Sequence, residues 1–254
     1  MDLLRGRLAD PHDPDPALEM AASHALLQRA RAGRLQAALR VFRPTRMVAF
    51  GRRDANRPGF PAAARACRAA GFVPVVRPTG GRAVATTANA IVLDHVQRDP
   101  TPGGMDERFE VFGHLLAEVL GGYGIDARVG EVPGEFCPGA HSVNARGTVK
   151  LVGTAQRVVR DAWFFSSVVI VDDHAVIAPL LVEVYRALEL PFDVASVGTV
   201  ATEAPGVTID ELEQAFIGAY DDHLGLEESS LDDALLGEAR ALVGDHQVGS
   251  SITA

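Results

Sequence analysis

The sequence predicts an α+β fold with a mixed, largely antiparallel central sheet flanked by helices. Three observations carry that prediction. Extended apolar stretches cluster between residues 39 and 171, and many are joined by short turns. Helical periodicity dominates near both ends of the chain. The regular alternation of strand and helix that builds a doubly wound parallel sheet is not followed.

The elements follow in order. Residues 9–16, Ala-Asp-Pro-His-Asp-Pro-Asp-Pro, form a proline-rich lead-in. Asp15 before Pro16 reads as an N-cap with proline at the first helical position. A helix is expected over 16–32, with Leu18, Ala22, Leu26 and Ala30 along one face. Strands are expected over 39–42 and 46–50, flanking Arg43-Pro44-Thr45. A helix over 60–70 closes at Gly71, and 72–77 is a buried strand. A turn follows at 78–82, a strand at 90–96, and a helix over 106–120 that ends at Gly121-Gly122. Residues 125–129 read as a short strand. Residues 131–140 are a loop by composition. Strands over 141–144 and 148–152 make a hairpin around Ala145-Arg146-Gly147, and 156–160 and 163–171 extend it into a meander. Helices are expected over 177–188, 208–224 and 231–243. The second of these carries the capping-box pair Thr208 and Glu211. With no internal repeat or linker, residues 1–254 are expected to form one domain. Residues 1–15 and 245–254 are expected to be flexible, and no separate accessory domain is expected.

Composition narrows the function. The chain has 254 residues, 47% hydrophobic and 22% charged, as a soluble globular protein does. The formal net charge of -9 speaks against general nucleic-acid binding, which needs a basic surface to displace counterions. No apolar run reaches the roughly 18 residues of a membrane span, and the N-terminus lacks a secretory apolar stretch. Cys67 and Cys137 show no metal-ligand spacing, so no permanently bound metal is expected. A cytoplasmic, reducing location follows as the default. Cys67, in an alanine-rich helix, reads as core packing.

Of the 24 Lys and Arg residues, Lys150 is the single lysine. In a chain that uses arginine everywhere else, one lysine marks a place where a compact ammonium is needed and a planar guanidinium does not fit.

Two segments carry chemistry. In Arg77-Pro78-Thr79-Gly80-Gly81-Arg82-Ala83-Val84 a strand enters a double-glycine turn bracketed by arginines. Glycines let backbone N–H groups approach an anion, and Arg77 and Arg82 can form charge-assisted bonds to a phosphate or carboxylate. The P-loop spacing is absent. In Lys150-Leu151-Val152-Gly153-Thr154-Ala155-Gln156 the lysine lies on or near a strand. The small residues Gly153, Thr154 and Ala155 leave room for a substrate against the backbone. About seventy positions separate the segments, and the reading requires the turn and the amine to face a common cavity.

Together, Thr79-Gly80-Gly81-Arg82-Ala83-Val84 and Lys150-Leu151-Val152-Gly153-Thr154-Ala155-Gln156 resemble the two signature stretches of lipoate–protein ligases and octanoyltransferases. These belong to the biotin/lipoate protein ligase catalytic-domain superfamily. The likeness covers roughly residues 17–190 and includes Val48-Ala49-Phe50-Gly51-Arg52. It implies the α+β catalytic domain of that superfamily and an enzyme with lipoate or octanoate as substrate. The acceptor would be a lysine on the lipoyl domain of a 2-oxoacid dehydrogenase or on the H-type protein of glycine cleavage. In the ligases ATP, with magnesium, activates the acid as an acyl-adenylate. By carry-over, Thr79, Gly80, Gly81 and Ala83 line the acyl tunnel and adenylate, Lys150 bridges acyl carbonyl and phosphate, and Gly153 and Ala155 shape the pocket.

The sequence departs from the family pattern at three places. Val76 stands where the first arginine of a pair is usual, Thr86 where a histidine is frequent, and Phe136-Cys137-Pro138-Gly139 where ligases carry Asn-Asp. Cys137 opens a second mechanism, because some octanoyltransferases of the superfamily place a nucleophilic cysteine in the loop before the signature lysine. Such a thiolate takes the acyl group as a thioester without ATP, and Lys150 nearby would lower the thiol pKa. His141 is a candidate base for that thiol. Three readings stay open: an ATP-dependent ligase first, a thioester octanoyltransferase second, and a non-catalytic acyl or adenylate binder third.

Overall fold

The computed structural model describes residues 1–10, 13–101 and 103–249. Within them, strands β1 (Asp2–Arg5), β2 (Ala37–Phe42), β3 (Met47–Phe50), β4 (Val73–Val76), β5 (Val84–Thr86) and β6 (Ala90–Arg98) are followed by β7 (Ala127–Val129), β8 (Val143–Ala145), β9 (Val149–Val159), β10 (Ala162–Ile170) and β11 (Glu227–Ser229). The helices are α1 (Pro16–Arg31), α2 (Arg52–Ala55), α3 (Phe60–Ala69), α4 (Met105–Gly122), α5 (His174–Ala187), α6 (Val200–Glu203), α7 (Ile209–Leu224) and α8 (Asp233–Leu242). The eight-stranded sheet runs β11-β1-β2-β6-β10-β9-β8-β7, and a three-stranded sheet runs β4-β3-β5. Among the named strands, parallel pairing occurs for β1 with β11, β1 with β2, and β3 with β4. The predicted mixed, mostly antiparallel sheet is therefore the observed one.

The strands that matter most are buried on both faces, and residue parity decides what each face does. Ile91 and Leu93 of β6 join Leu39, Phe165 and Val169 in a core against α4 and α7, which supply Phe112, Leu116, Phe216 and Tyr220. The opposite face packs in part on α1 and α8 through Ala38, Val96 and Phe164. The small sheet, α3 and α5 form a further core around Phe50, Phe60, Cys67 and Leu181. A cavity lies on this second face, between the large sheet, α1 and the small sheet.

Local chemistry sets several boundaries where expected. Asp15 accepts from the N–H groups of Ala17 and Leu18, and Pro16 opens α1. Thr208 and Glu211 form the capping box of α7, where loss of a capping hydroxyl costs about 1 kcal/mol.

Other expectations are corrected. Residues 1–15 are not a loose lead-in, because Asp2–Arg5 pairs with β2 and β11 and Glu19 accepts from the Ala9 N–H; residues 11 and 12 of that segment lie outside the described residues. Residues 245–249 are likewise tied down. His246 exchanges bonds with Val76, and Gln247 bridges Val75. The frayed end expected beyond them, 250–254, lies outside the described residues. The fourth helix ends at Gly122, as expected, with both glycines still helical. The stretch 156–160 is no separate strand but the continuation of β9. No described helix is long and apolar enough to cross a membrane.

Candidate functional site

The floor of the cavity is built from two rows across the large sheet. Gly153, Val168 and Val92 are paired neighbours on β9, β10 and β6, and so are Ala155, Ser166 and Asp94. Met20 and Ser23 of α1, Met47 and Ala49 of β3, and Val84 and Thr86 of β5 face them, and Arg77, Thr79 and Cys137 complete the wall. The missing side chain of Gly153 and the small one of Ala155 leave open space over β9.

The loop 131–140 is fixed from within by a buried carboxylate. Glu135 accepts from Gly139 N–H at 2.9 Å, Ser142 Oγ at 2.7 Å and Val132 N–H at 3.3 Å. Two residues on, Cys137 adopts φ 45°, a left-handed conformation that non-glycine residues take at a cost of order 1–2 kcal/mol. Distant elements pin it there. Its N–H donates to the Tyr185 hydroxyl on α5 at 2.5 Å, and its carbonyl accepts from Lys150 Nζ on β9 at 2.8 Å. The forced backbone angle aims Sγ into the cavity.

Lys150 is 1% exposed. Its amine donates to the carbonyls of Cys137 and Phe136 at 2.8 and 3.0 Å and to Glu135 Oε1 at 3.3 Å. An ammonium has three N–H donors, and all three are used. Burial pulls its pKa below the ordinary lysine value, while the Cys137 thiolate and Glu135 hold it up. Three acceptors around one nitrogen favour the charged form. The Gly153 position accommodates the stem, because a Cβ there would lie 3.4 Å from Lys150 Cε. The amine lies beside the cavity, 3.9 Å from where a Gly153 Cβ would stand, but in this structure its three donors are engaged by the loop whose cysteine lines the cavity.

The turn meets the loop at the thiol. Cys137 Sγ accepts from Arg77 Nη2 at 3.3 Å and from the Arg82 N–H at 3.2 Å. Burial raises the thiol pKa, but Arg77, Lys150 and these two hydrogen bonds outweigh it, and the net direction is downward. Gly81 has φ +98°, and a Cβ there would stand 2.7 Å from Cys137 Sγ and 2.3 Å from Arg77 Nη2. Glycine is required for the turn to close on the sulfur.

The sequence-chosen residues separate into groups. Arg77, Thr79, Cys137, Gly153, Thr154 and Ala155 meet at the cavity. Gly80 and Gly81 open instead onto a shallow outer hollow with Arg52, Arg53 and Arg157. The Arg82 side chain is turned to Asp54 at 2.8 Å, so only its backbone N–H serves the site. Ala83 is fully buried, and its carbonyl accepts from Tyr185. His141 stacks on Phe109 at 4.9 Å, with no bond to Cys137 among the described residues. Cys67 is core, as expected, with its thiol pushed up to about 12. Sequence reasoning missed Glu135, Tyr185 and Asp94. Asp94 left a signal, being a carboxylate inside an apolar strand run. Tyr185 left none, because only the fold brings it to the loop.

Comparisons with known proteins bear on the family and the fold. The family model of the lipoyl protein ligase A/B catalytic domain matches residues 15–220. An octanoyl-GcvH:protein N-octanoyltransferase of Geobacillus kaustophilus (strain HTA426) is 28% identical over 147 residues, 58% of this chain and 52% of the relative. One from Exiguobacterium sp. (strain ATCC BAA-1283 / AT1b) is 31% identical over 124 residues, 49% and 44% of the two chains. The chain thus spans about half the length of the curated relatives it matches. A crystal structure of lipoate-protein ligase A bound with ATP shares the fold, with TM-score 0.76, 20% identity, and 96% and 95% of the two chains covered. So does a bi-partite lipoate protein ligase from Thermoplasma acidophilum, studied with its E2 lipoyl domain, with TM-score 0.73, 19% identity, and 96% and 92% covered.

Proposed function

The chain belongs to the lipoyl protein ligase A/B catalytic-domain family, and from that premise we propose that it moves an octanoyl or lipoyl group onto a lysine of a lipoyl acceptor domain through a thioester on Cys137, without ATP. This reverses the order in which the sequence placed the two mechanisms. The observation that carries the reading is the position of Sγ, which lines the apolar cavity while accepting from Arg77 and Arg82. Two N–H donors and a nearby ammonium favour the thiolate, which is the nucleophile.

In the first step the thiolate attacks the acyl carbonyl of the donor. A C–S bond forms, the bond to the donor's leaving atom breaks, and that atom takes a proton from solvent. In the second step the neutral acceptor amine attacks the thioester carbonyl. A C–N bond forms, the C–S bond breaks, the surplus amine proton passes to solvent, and the thiolate returns. In both steps the carbonyl oxygen gains negative charge beside Sγ. The Arg82 N–H and the Arg77 guanidinium are the donors nearest that charge. Lys150 acts as a positioning residue through the Phe136 and Cys137 carbonyls. The names of the relatives suggest an octanoylated H-type protein as donor and a lipoyl domain of a 2-oxoacid dehydrogenase as acceptor.

One observation favours the ligase reading. Arg52, Arg53 and Arg157 line the hollow outside Gly80-Gly81, and none of the three forms an ion pair among the described residues. A triphosphate fits such a hollow by charge, and ATP would supply a phosphate leaving group for the acid. Incubation of octanoyl donor and apo lipoyl domain without ATP tests the choice. Octanoylated acceptor and a Cys137 acyl-enzyme, read by mass spectrometry, are expected. Full activity of Cys137→Ser, or transfer from free octanoate only when ATP is added, overturns the thioester route.

A further inference from the structure

The cavity lining also includes polar atoms, on β6, β10 and α1, away from the strand that holds the Cys137 loop. Asp94 is 2% exposed, and its Oδ1 accepts from Ser166 Oγ at 2.6 Å while Oδ2 accepts from Ser23 Oγ. Behind them Arg40, fully buried, donates to Ser23 Oγ at 3.3 Å and pairs with Glu19. Asp94 and Arg40 are register partners on β6 and β2. Burial raises the Asp94 pKa against the lowering effect of both serines and Arg40. The nucleophile's loop lies over β9, where Lys150 holds it, and Asp94 lies two strands away. At the usual strand spacing that is roughly 10 Å across the sheet, and Ala155, the β9 residue in line with Asp94, is also five positions along the strand from Lys150.

We propose that the Asp94–Ser23–Ser166 cluster is the end wall of the acyl cavity and sets the longest chain the protein accepts. The inference rests on the reading of this cavity as an acyl site. The rest of the lining between thiol and wall is mostly apolar, with Met20, Met47, Val84, Val92 and Val168 around the path. A chain that stops short of the wall buries its methylenes there without disturbing the cluster. A longer chain must push its terminal methyl between hydrogen-bonded polar groups, breaking bonds it cannot replace. Further penetration meets the Arg40–Glu19 ion pair, which has no room to open toward solvent. The wall therefore rejects excess length more sharply than an apolar end would, since apolar side chains can yield by repacking.

The test compares chain-length profiles from hexanoyl to dodecanoyl in two measurements. One is the rate of transfer from acyl donors. The other is binding of the free fatty acids to the full chain by displacement of a fluorescent fatty acid. Wild type is expected to lose on the order of tenfold for each methylene beyond its limit. Asp94→Ala should move that limit to longer chains, and Ser166→Leu, which intrudes on the cavity, should move it to shorter ones. Asp94→Asn, of equal size, should keep the wild-type limit. Opposite shifts in two variants cannot come from general loss of folding. If Asp94→Ala does not fold, the shortened limit in Ser166→Leu and the retained limit in Asp94→Asn still decide. Unchanged profiles in folded Asp94→Ala and Ser166→Leu overturn the wall, as does absence of fatty-acid binding by wild type. Shifted binding profiles without transfer by any form would leave the wall standing and reject the transfer reaction.

Discussion

Cys67 and Cys137 are both buried, yet their surroundings push the two thiols in opposite directions. Cys67 sits in α3 among Phe60, Ala63 and Phe72, where burial is the largest influence and raises its pKa to about 12. Cys137 is more constrained and more polar in its contacts. Arg77 and the Arg82 N–H touch its sulfur, Lys150 holds its carbonyl and Tyr185 holds its amide. Exclusion from water alone makes a cysteine inert. Exclusion from water combined with fixed donors favours the thiolate instead, because the same low dielectric that penalises an isolated charge strengthens the interactions of a partnered one. The lesson extends to Lys150, whose pKa burial lowers while the three acceptors around its amine and the nearby Cys137 thiolate oppose that shift.

The largest expected effect that would break this contrast is on catalysis. Cys137→Ser should lower acyl transfer by on the order of 10³-fold or more, as removal of a nucleophile does, whereas Cys67→Ser should leave the rate within about twofold. Steady-state transfer assays with both variants decide it, and equal losses would erase the distinction. Next comes stability. Lys150→Met leaves Glu135 buried without its cation and should cost about 3–5 kcal/mol in denaturant unfolding. Lys150→Arg should also be less stable, because a planar fork cannot match three acceptors arranged around one nitrogen.

A smaller effect concerns pH. Arg77→Met should raise the Cys137 pKa and lower its alkylation rate near neutral pH by about tenfold, the equivalent of one pKa unit. In wild type the thiol is depressed relative to the unfolded chain. Its contribution to stability is therefore complete above the unfolded pKa and fades as pH falls through the folded one. Arg77→Met should narrow that window, and alkylation rates followed against pH measure the shift. An identical profile in wild type and variant would mean that Arg77 does not tune the sulfur. The smallest effect is Cys67→Ala, expected to cost about 1 kcal/mol as a modest core truncation with no change in the Cys137 titration.

Much of the fold was legible because its signals are local. Asp15-Pro16 marked the start of α1, Thr208 with Glu211 marked α7, and the turn around Ala145-Arg146-Gly147 marked a hairpin. Where the reading failed, the deciding partner was remote. Strand β1 is short and borders β11, more than two hundred residues away, whose Glu-Glu-Ser sequence carries no apolar pattern.

The candidate site divides the same way. The sequence by itself determined which residue types were unusual: one lysine in a chain of arginines, two adjacent glycines between arginines, and a cysteine in a Pro/Gly loop. It also determined their order, and with it the family. Only the tertiary structure decided that the lysine amine is engaged by the carbonyls and carboxylate of the loop and that the cysteine lines the cavity. The fold alone put Glu135 and Tyr185 against that loop and Asp94 in the cavity lining. The physical reason is that composition and periodicity encode what a residue can do, whereas direction, burial and partnership depend on elements that meet only when the chain closes on itself.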